Sequence, residues 1–260
     1  MELAVVERVE KIIVKAWPSE IEKRYHSWLL RINRGVSKRA NSVFTVGAMP
    51  EAKNWLEEIE MFYRKHSLPP CFYISEASPQ ELDETLKMNG YETVNEMFLL
   101  YHKSDEIIAQ VKQNEDLSFR FEQFPNESWL DAFIYLEGHA DVTKEAYDLI
   151  FKRIRIPSGF LTVKLDETIV ALGTVAAKDG WGYISNVVVN DSFRRRGYGS
   201  QVIRALANWA VEHQTKHVFL QVLKTNHAGM GLYHRLGFSK LSESHFRLKT
   251  KPLINERIST

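Results

Sequence analysis

Cysteine and long apolar runs are scarce in this sequence, and each scarcity argues against a class of protein. The 260 residues contain one cysteine, Cys71, so no disulfide can form within the chain and a cysteine-based zinc site is disfavoured. No run of about 18 apolar residues occurs, which disfavours a membrane-spanning helix. The opening segment carries charges every few residues and differs from a signal peptide. These features predict a cytoplasmic protein.

An excess of charge of either sign is also missing. The chain has 34 Lys and Arg against 33 Asp and Glu, a net charge of +1, so no global field would attract nucleic acid or an anionic membrane. Hydrophobic residues make up 44% and charged residues 26%, as in ordinary globular proteins. The length suits one large domain or two small ones.

Helical and strand-like patterns alternate along the whole chain. In the first half, the periodicity predicts helices over 2–17, 51–66 and 79–89, a hairpin of strands 27–33 and 41–46, and further strands over 71–75 and 91–101. In the second half, it predicts a strand over 117–123, a helical region over 126–155, a meander of strands over 160–165, 169–177 and 181–189, a helix from the glycine turn at 194–200 to about 213, a strand over 217–223, a helix over 228–236 and a strand over 238–249. The tail from Thr250 shows no pattern. The fold class is α/β (α+β).

The two halves resemble each other without a gap. A shift of 147 residues carries Gly90 onto Gly237 and Phe72 onto Phe219, and both glycines follow a helix and precede a strand. We therefore expect two tandem mixed-sheet domains flanked by helices, at 1–103 and 117–260, joined by a linker over 104–116. The second copy is the complete one.

A basic, glycine-containing turn is the sharpest local feature of the second half. It reads Arg194-Arg195-Arg196-Gly197-Tyr198-Gly199-Ser200 and lies between a predicted strand and a predicted helix. Glycines permit close approach of the backbone, and a helix N-terminus offers unpaired N–H groups, which suits a pyrophosphate. A solvated basic turn is the alternative. No Gly-Lys-Ser/Thr follows, and valine occupies the third glycine position of a dinucleotide motif, so neither of those nucleotide motifs is present.

A second motif makes the resemblance to a family specific. It runs from Asn226 to Phe238 (NHAGMGLYHRLGF), again at a strand-to-helix junction. Together, the two segments resemble the signatures of the GNAT superfamily of N-acetyltransferases, Val-x-Pro-x-x-Arg-x-x-Gly-x-Gly/Ala and Asn-x-x-Ala-x-x-Leu-Tyr-x-x-x-Gly-Phe. The likeness covers about residues 117–249. Two positions depart from it: Asp191 replaces a common proline, and Gly229 replaces a common alanine.

The resemblance implies acetyl-CoA as acyl donor and no metal. Its pyrophosphate would lie on the turn from Arg194 to Ser200 and its pantetheine arm along the strand edge at Val187, Val188 and Val189, with Asn226 among the cofactor-binding residues. Tyr233 would be the catalytic acid that protonates the departing thiolate. An acceptor amine would attack the thioester directly, beside a backbone N–H near Val188.

The same resemblance leaves the general base and the role of the first half open. The strand over 181–186 carries no carboxylate, so a base could be water held by Ser185 or Tyr183, or a carboxylate elsewhere such as Glu137. In the first half, Gly47, Pro50 and Ala52 stand where Arg194, Gly197 and Gly199 stand in the second, which predicts a degenerate GNAT-like domain without a site. Its segments Trp28–Arg31 and Lys38–Val43 resemble ones in two-domain acetyltransferases, where they are structural or face the acceptor; a solvated hairpin turn is the alternative.

The sequence therefore predicts a GNAT N-acetyltransferase that acts on a primary amine of a small molecule or amino acid. A protein or peptide amine is an alternative acceptor, and a non-catalytic acyl-CoA-binding regulator is an alternative function. We expect no nucleic acid and no membrane as partners, and a homodimer is left open. His213 and His217 have metal-ligand spacing, but two solvated histidines at a helix end explain them better.

Overall fold

The fold alternates helices and strands along the whole of the described chain. A computed structural model describes residues 3–250; the tail discussed above lies almost entirely outside this range. Its α-helices are α1 (Leu3–Ala16), α2 (Trp55–Lys65), α3 (Leu82–Met88), α4 (Ser104–Gln110), α5 (Glu127–Leu136), α6 (Lys144–Lys152), α7 (Tyr198–Glu212) and α8 (His227–Arg235). Its strands are β1 (Ile21–Tyr25), β2 (Trp28–Ile32), β3 (Val43–Phe44), β4 (Cys71–Ser75), β5 (Glu92–Lys103), β6 (Leu117–Glu122), β7 (Ser158–Leu165), β8 (Thr168–Lys178), β9 (Trp181–Val189), β10 (His217–Leu223) and β11 (Ser239–Leu248).

All of these strands join one mixed sheet, in which each half of the chain donates its last strand to the other half. The order is β1-β2-β3-β4-β11-β5-β10-β9-β8-β7-β6. Strand β11 pairs antiparallel with β4 and with β5, and β5 pairs antiparallel with β10. The exchanged pair β5 and β11 therefore lies at the centre of the sheet, and neither half has a complete sheet without the other.

Helices cover both faces of this sheet. The apolar stripes of α1, α5 and α6 share one core cluster that extends across both halves, with Val9, Phe133 and Phe151 among its members. On the opposite face, α4, α7 and α8 cover the second half, and α2 and α3 cover the first. The apolar residues of each helix lie on one face, and that face packs against the sheet.

The repeat at a shift of 147 residues is confirmed by the order of the elements. Strand β4 corresponds to β10, α3 to α8 and β5 to β11, and Gly90 and Gly237 both adopt positive φ, at 81° and 84°. Residues after a helix end adopt this left-handed conformation most easily as glycine. Among the described residues of the first half, none forms a strand that corresponds to β6.

The prediction that strands 27–33 and 41–46 form a hairpin is wrong, because the main partner of β2 is β1. Strand β2 pairs along its whole length with β1, through a turn at His26 with φ of 52°, and meets β3 only at Leu29 and Phe44. Four of the five residues of β1 are exposed, so its sequence has no apolar alternation to reveal it.

The segment 104–116, expected as a linker, begins with α4. Ile107 of this helix is fully buried beside α7, and the side chain of Gln201 in α7 holds the following residues through Asn114 N–H (3.1 Å) and the Lys112 carbonyl (2.9 Å). The division at 1–103 and 117–260 remains a prediction. Among the described residues, no helix combines the length and apolar character needed to span a bilayer.

Candidate active site

A groove opens where β9 and β10 stop pairing. The two strands are parallel neighbours from Trp181 beside His217 to Ile184 beside Leu220, and no pairing continues beyond that point. Asn186 adopts a φ of 52°, and the register between β8 and β9 shifts there, which is a β-bulge that bends β9 away. Beyond Ile184 and Leu220 the two strands therefore diverge, and the gap between their ends is called the cleft below.

The predicted pantetheine edge forms one wall of this cleft. Val187 and Val189 are half-buried and pack toward α7, whereas Val188 is buried against the core on the other face. This alternation is the ordinary period of a strand. The three residues therefore place backbone, with little polar side chain, along the cleft.

The glycine turn at the start of α7 presents unpaired backbone donors. Gly197 is the residue before the first helical turn, with a φ of 81°, and Arg195 also has a positive φ of 65°. The N–H groups from Arg195 to Gly199 donate to no backbone carbonyl in residues 3–250, whereas Ser200 N–H donates to the Gly197 carbonyl at 3.0 Å. Five successive free donors at a helix N-terminus suit a phosphate group.

The side chains of this turn have different surroundings. Arg194 pairs with Asp191 at 2.6 Å, while Arg195 and Arg196 are exposed, the latter 5.2 Å above the ring of Phe193. Tyr198 is buried in the core and can offer a ligand only its backbone. Asp191, where the family pattern has proline, therefore orients an arginine of the turn.

Gly199 is required for helix packing more than for the ligand. A Cβ at this position would lie 3.0 Å from Cδ2 of Leu232 on α8, so the two helices approach closely there. At Gly197 a Cβ would meet nothing within 4 Å, and the positive φ alone explains the glycine. The two glycines of the motif thus have different physical reasons.

Asn226 and Tyr233 lie at the start and on the buried side of α8. The Asn226 Oδ1 accepts a hydrogen bond from Gly229 N–H at 2.9 Å, so this side chain caps the helix. A Cβ on Gly229 would lie 2.8 Å from Asn226 Nδ2, which explains glycine in place of the common alanine. Tyr233 is 8% exposed and packs on Phe238.

The phenol of Tyr233 lies within electrostatic range of a carboxylate, that of Glu137. Burial raises the pKa of Tyr233 above its usual value, and Glu137 and Tyr183 are close enough to raise it further. Glu137 follows the last residue of α5 and its residue is exposed to solvent; the protein around its carboxyl raises the pKa of that group, and Arg39 acts in the opposite direction. A tyrosine that keeps its proton and a carboxylate of raised pKa are the pair that acid and base catalysis at neutral pH requires.

Ser185 and the two histidines occupy other surroundings. The Ser185 hydroxyl lies 2.8 Å from that of Thr174. The His213 ring stacks on Trp209 and the His217 ring on Trp181, so the two histidines pack on different aromatic side chains.

The first half has no counterpart of the phosphate turn. Helix α2 begins at Trp55, whereas the shift of 147 residues would carry Tyr198 to position 51. Residues 51–54 are therefore non-helical where the second half has its first helical turn. The predicted loss of the phosphate cradle, inferred from Gly47, Pro50 and Ala52, agrees with this geometry.

One loop of the first half is less exposed than the solvated hairpin turn that its sequence allows. Lys38 and Arg39 are both half-buried, and the Arg39 guanidinium lies 4.1 Å above the ring of Trp17. Arg39 also influences the pKa of Glu137 in the second half. The sequence signal that pointed to this loop was the resemblance of Trp28–Arg31 and Lys38–Val43 to segments of two-domain acetyltransferases.

Comparison with known proteins identifies the family. A family model described as "Probable histone acetyltransferase Rv0428c C-terminal" matches residues 4–247. The chain is 41% identical over 244 residues to the "Uncharacterized N-acetyltransferase YobR" of Bacillus subtilis (strain 168), which covers 94% of this chain and 98% of that relative.

Solved structures agree with this assignment at the level of the fold. A GCN5-related N-acetyltransferase from Kribbella flavida superposes with a TM-score of 0.70 at 15% identity, covering 96% of this chain and 95% of that one. A tandem GNAT protein from the clavulanic acid biosynthesis pathway gives a TM-score of 0.66 at 10% identity, covering 92% and 86%. This chain belongs to the Rv0428c C-terminal family and is a tandem GNAT N-acetyltransferase.

Proposed function

We propose that the second half of this chain transfers an acetyl group from acetyl-CoA to the primary amine of a small molecule or amino acid. The observation that carries the proposal is the turn of five unpaired backbone donors that follows β9, the strand that diverges from β10; the electrostatic proximity of Tyr233 and Glu137 supports it further. When bound, acetyl-CoA supplies an acetyl group activated as a thioester. The donors from Arg195 to Gly199 fit its pyrophosphate, because they are unpaired and converge at a helix N-terminus.

The residues of the cleft divide the proton transfers between them. Glu137, with its raised pKa, accepts the proton that the ammonium form of the acceptor must lose before it can attack. Tyr233 holds its proton at neutral pH and donates it to the leaving thiolate.

Thiol release from acetyl-CoA, measured with a panel of small amines, amino acids and a basic peptide, tests this function. Tyr233→Phe and Glu137→Gln should each lower kcat about 100-fold or more, the range expected for a positioned acid or base. Tyr135→Phe, on the exposed face of α5, is the matched control and should leave turnover unchanged.

The alternatives give different results in the same assay. Full turnover in Tyr233→Phe would remove the proposed acid. Binding of acetyl-CoA with no release from any acceptor would favour a non-catalytic acyl-CoA-binding regulator. Turnover confined to the basic peptide would favour a protein amine, as the name of the matched family suggests for its own member.

A further inference from the structure

An open pocket lies between the two halves, beside the catalytic cleft. Its volume is about 200 Å³. Its walls are Ser37, Lys38 and Arg39 from the first half, Asn95 and Met97 of β5, Phe246 of β11, and Gln221 and Leu223 of β10. One side of the pocket is therefore cationic, and the others combine the apolar side chains of Met97, Leu223 and Phe246 with two neutral amides.

Gln221 connects this pocket to the cleft. It is the first residue of β10 beyond the last pair with β9, so it stands where the strands splay. Its Oε1 accepts a hydrogen bond from Tyr183 at 3.5 Å, and Tyr183 is a neighbour of Tyr233. Arg39, on the opposite wall, acts on the pKa of Glu137. Neither Tyr233 nor Glu137 lines the pocket, but residues of its walls interact with the surroundings of both proposed proton-transfer groups.

The cations of the pocket have no carboxylate partner in the part of the chain that the structure describes. In residues 3–250, no carboxylate oxygen lies within 4 Å of the charged nitrogens of Arg31, Lys38 or Arg39. Arg31 is 3% exposed and lines a narrow recess behind the pocket, which shares Arg39, Gln221 and Phe246 with it. Its Nε and Nη2 bond to Ser42, but its buried Nη1 has no partner.

A buried guanidinium without an ion-pair partner lowers the stability of the folded protein unless an anion binds to it. The one acidic side chain that lines the recess, among the described residues, is Glu10, whose carboxyl is already bonded to the hydroxyls of Tyr73 and Ser75 and has its pKa raised to about 7 by burial. A carboxyl with a pKa of about 7 is only partly ionised at neutral pH, so it does little to balance the positive charge of the guanidinium. Glu22, opposite Arg31 in the β1–β2 pair, acts on the guanidinium only from beyond 4 Å, so among residues 3–250 no carboxylate contacts Arg31 directly. An incoming anion would be its first direct ion-pair partner.

The loop that carries Lys38 and Arg39 is held in shape by one side chain. Asn41 Oδ1 accepts from the N–H groups of Asn33 at 2.6 Å and Gly35 at 3.2 Å, and its Nδ2 donates to the carbonyls of Asn33 at 3.1 Å and Ser37 at 2.9 Å. Such a loop loses little conformational entropy when a ligand binds. The cations are therefore organised in advance.

We propose that this pocket binds the carboxylate of the acceptor, so that the acceptor is an α-amino acid or a similar amine bearing a carboxylate and a mid-sized apolar side chain. The inference rests on the proposed function and names its substrate class. Arg39 and Lys38 hold the carboxylate, with Arg31 behind them. Met97 and Phe246 contact the side chain, and the amine points toward the cleft. The same cations disfavour a lysine-rich peptide, because like charges repel.

Matched pairs of acceptors test the carboxylate directly. We would compare kcat/KM for L-leucine with L-leucinamide and for L-phenylalanine with L-phenylalaninamide, at equal concentrations of unprotonated amine. The native protein should prefer each acid by at least about tenfold, the discrimination typical of a charge-assisted hydrogen bond. In Arg39→Gln and Lys38→Gln the ratio of acid to amide should fall toward one, and Arg39→Lys should restore part of it.

The ratio isolates recognition from catalysis, because any effect of Arg39 on Glu137 applies equally to both members of a pair. Arg24→Gln, at an exposed arginine of β1 that has no ion pair in residues 3–250, is the control and should keep the native ratio. Equal use of acid and amide by the native protein, or preference for a basic peptide, would overturn the proposal while the acetyltransferase activity stands.

A binding measurement keeps the two proposals separate. Calorimetric titration with N-acetyl-L-leucine and with its amide needs no turnover. Tighter binding of the acid, lost in Arg39→Gln, supports the carboxylate site even if no amine is acetylated and the proposed function fails. Equal or absent binding of both compounds overturns it.

Discussion

Replacing Glu10 with glutamine should stabilise this protein at alkaline pH and change it little in acid. Glu10 is fully buried on α1, where its two oxygens accept hydrogen bonds from Tyr73 at 3.1 Å and Ser75 at 3.0 Å. Burial raises the pKa of this carboxyl from 4.5 to about 7. A glutamine has the same shape and carries no charge, so it can accept from Tyr73 and donate to Ser75 without being ionised.

The magnitude follows from the two pKa values. The folded protein holds this proton more tightly than the unfolded chain does, so its contribution to the free energy of unfolding is fully present below pH 4.5. That contribution falls as the pH rises to about 7. The difference between the two pKa values, at about 1.4 kcal/mol for each unit, corresponds to a loss of about 3 kcal/mol of unfolding free energy. Glu10→Gln should recover about this amount above pH 7.

Urea unfolding at pH 4 and pH 8 measures the difference. The stability gained by Glu10→Gln over the native protein should be near zero at pH 4 and about 3 kcal/mol at pH 8. Glu115→Gln, an exposed glutamate with no ion pair in residues 3–250, is the control and should show no such dependence. An equal effect of Glu10→Gln at both pH values would refute the reasoning.

Three further predictions concern the central strands and the helix pair. Asp83 accepts two hydrogen bonds from Arg247 of β11, at 2.8 and 2.9 Å, and its pKa is lowered to about 2. Asp83→Asn should therefore cost about 1 kcal/mol of unfolding free energy at pH 7, after allowance for solvent screening, and nothing near pH 2; an unchanged value at pH 7 would contradict this. Gly199→Val should lower Tm, because its side chain would overlap Leu232 of α8, at a cost of about 1–3 kcal/mol; a native Tm would show that the helices can separate freely. Cys71 is 2% exposed and its pKa is raised to about 12, so iodoacetamide at pH 8 should modify it only after unfolding, as mass spectrometry would show; rapid native labelling would contradict its burial.

The elements around the phosphate turn could be predicted because their signals are local. Val202 and Leu206 mark the buried face of α7, Gly197 marks its start, and Gly237 marks the end of α8. Strands β4, β9 and β10 begin and end at the predicted residues. Short-range periodicity and helix-end residues determine all of these features.

The features that escaped prediction depend on residues far apart in the chain. The pairing of β11 with β4 joins Phe246 to Tyr73, and no local pattern specifies that partner. The approach of Arg39 to the site and the unpaired Nη1 of Arg31 result from the packing of one half on the other. Sequence periodicity reports which face of an element is buried, and it does not report which element covers that face.

The exchange of β5 and β11 also constrains how the protein can be made. A ribosome releases β4 and β5 well over a hundred residues before β11, the strand that must enter between them. Until then, each presents an unpaired edge, and such edges invite association with other chains. The first half therefore cannot finish folding as it emerges, and the whole sheet must close late, in one step that spans the chain.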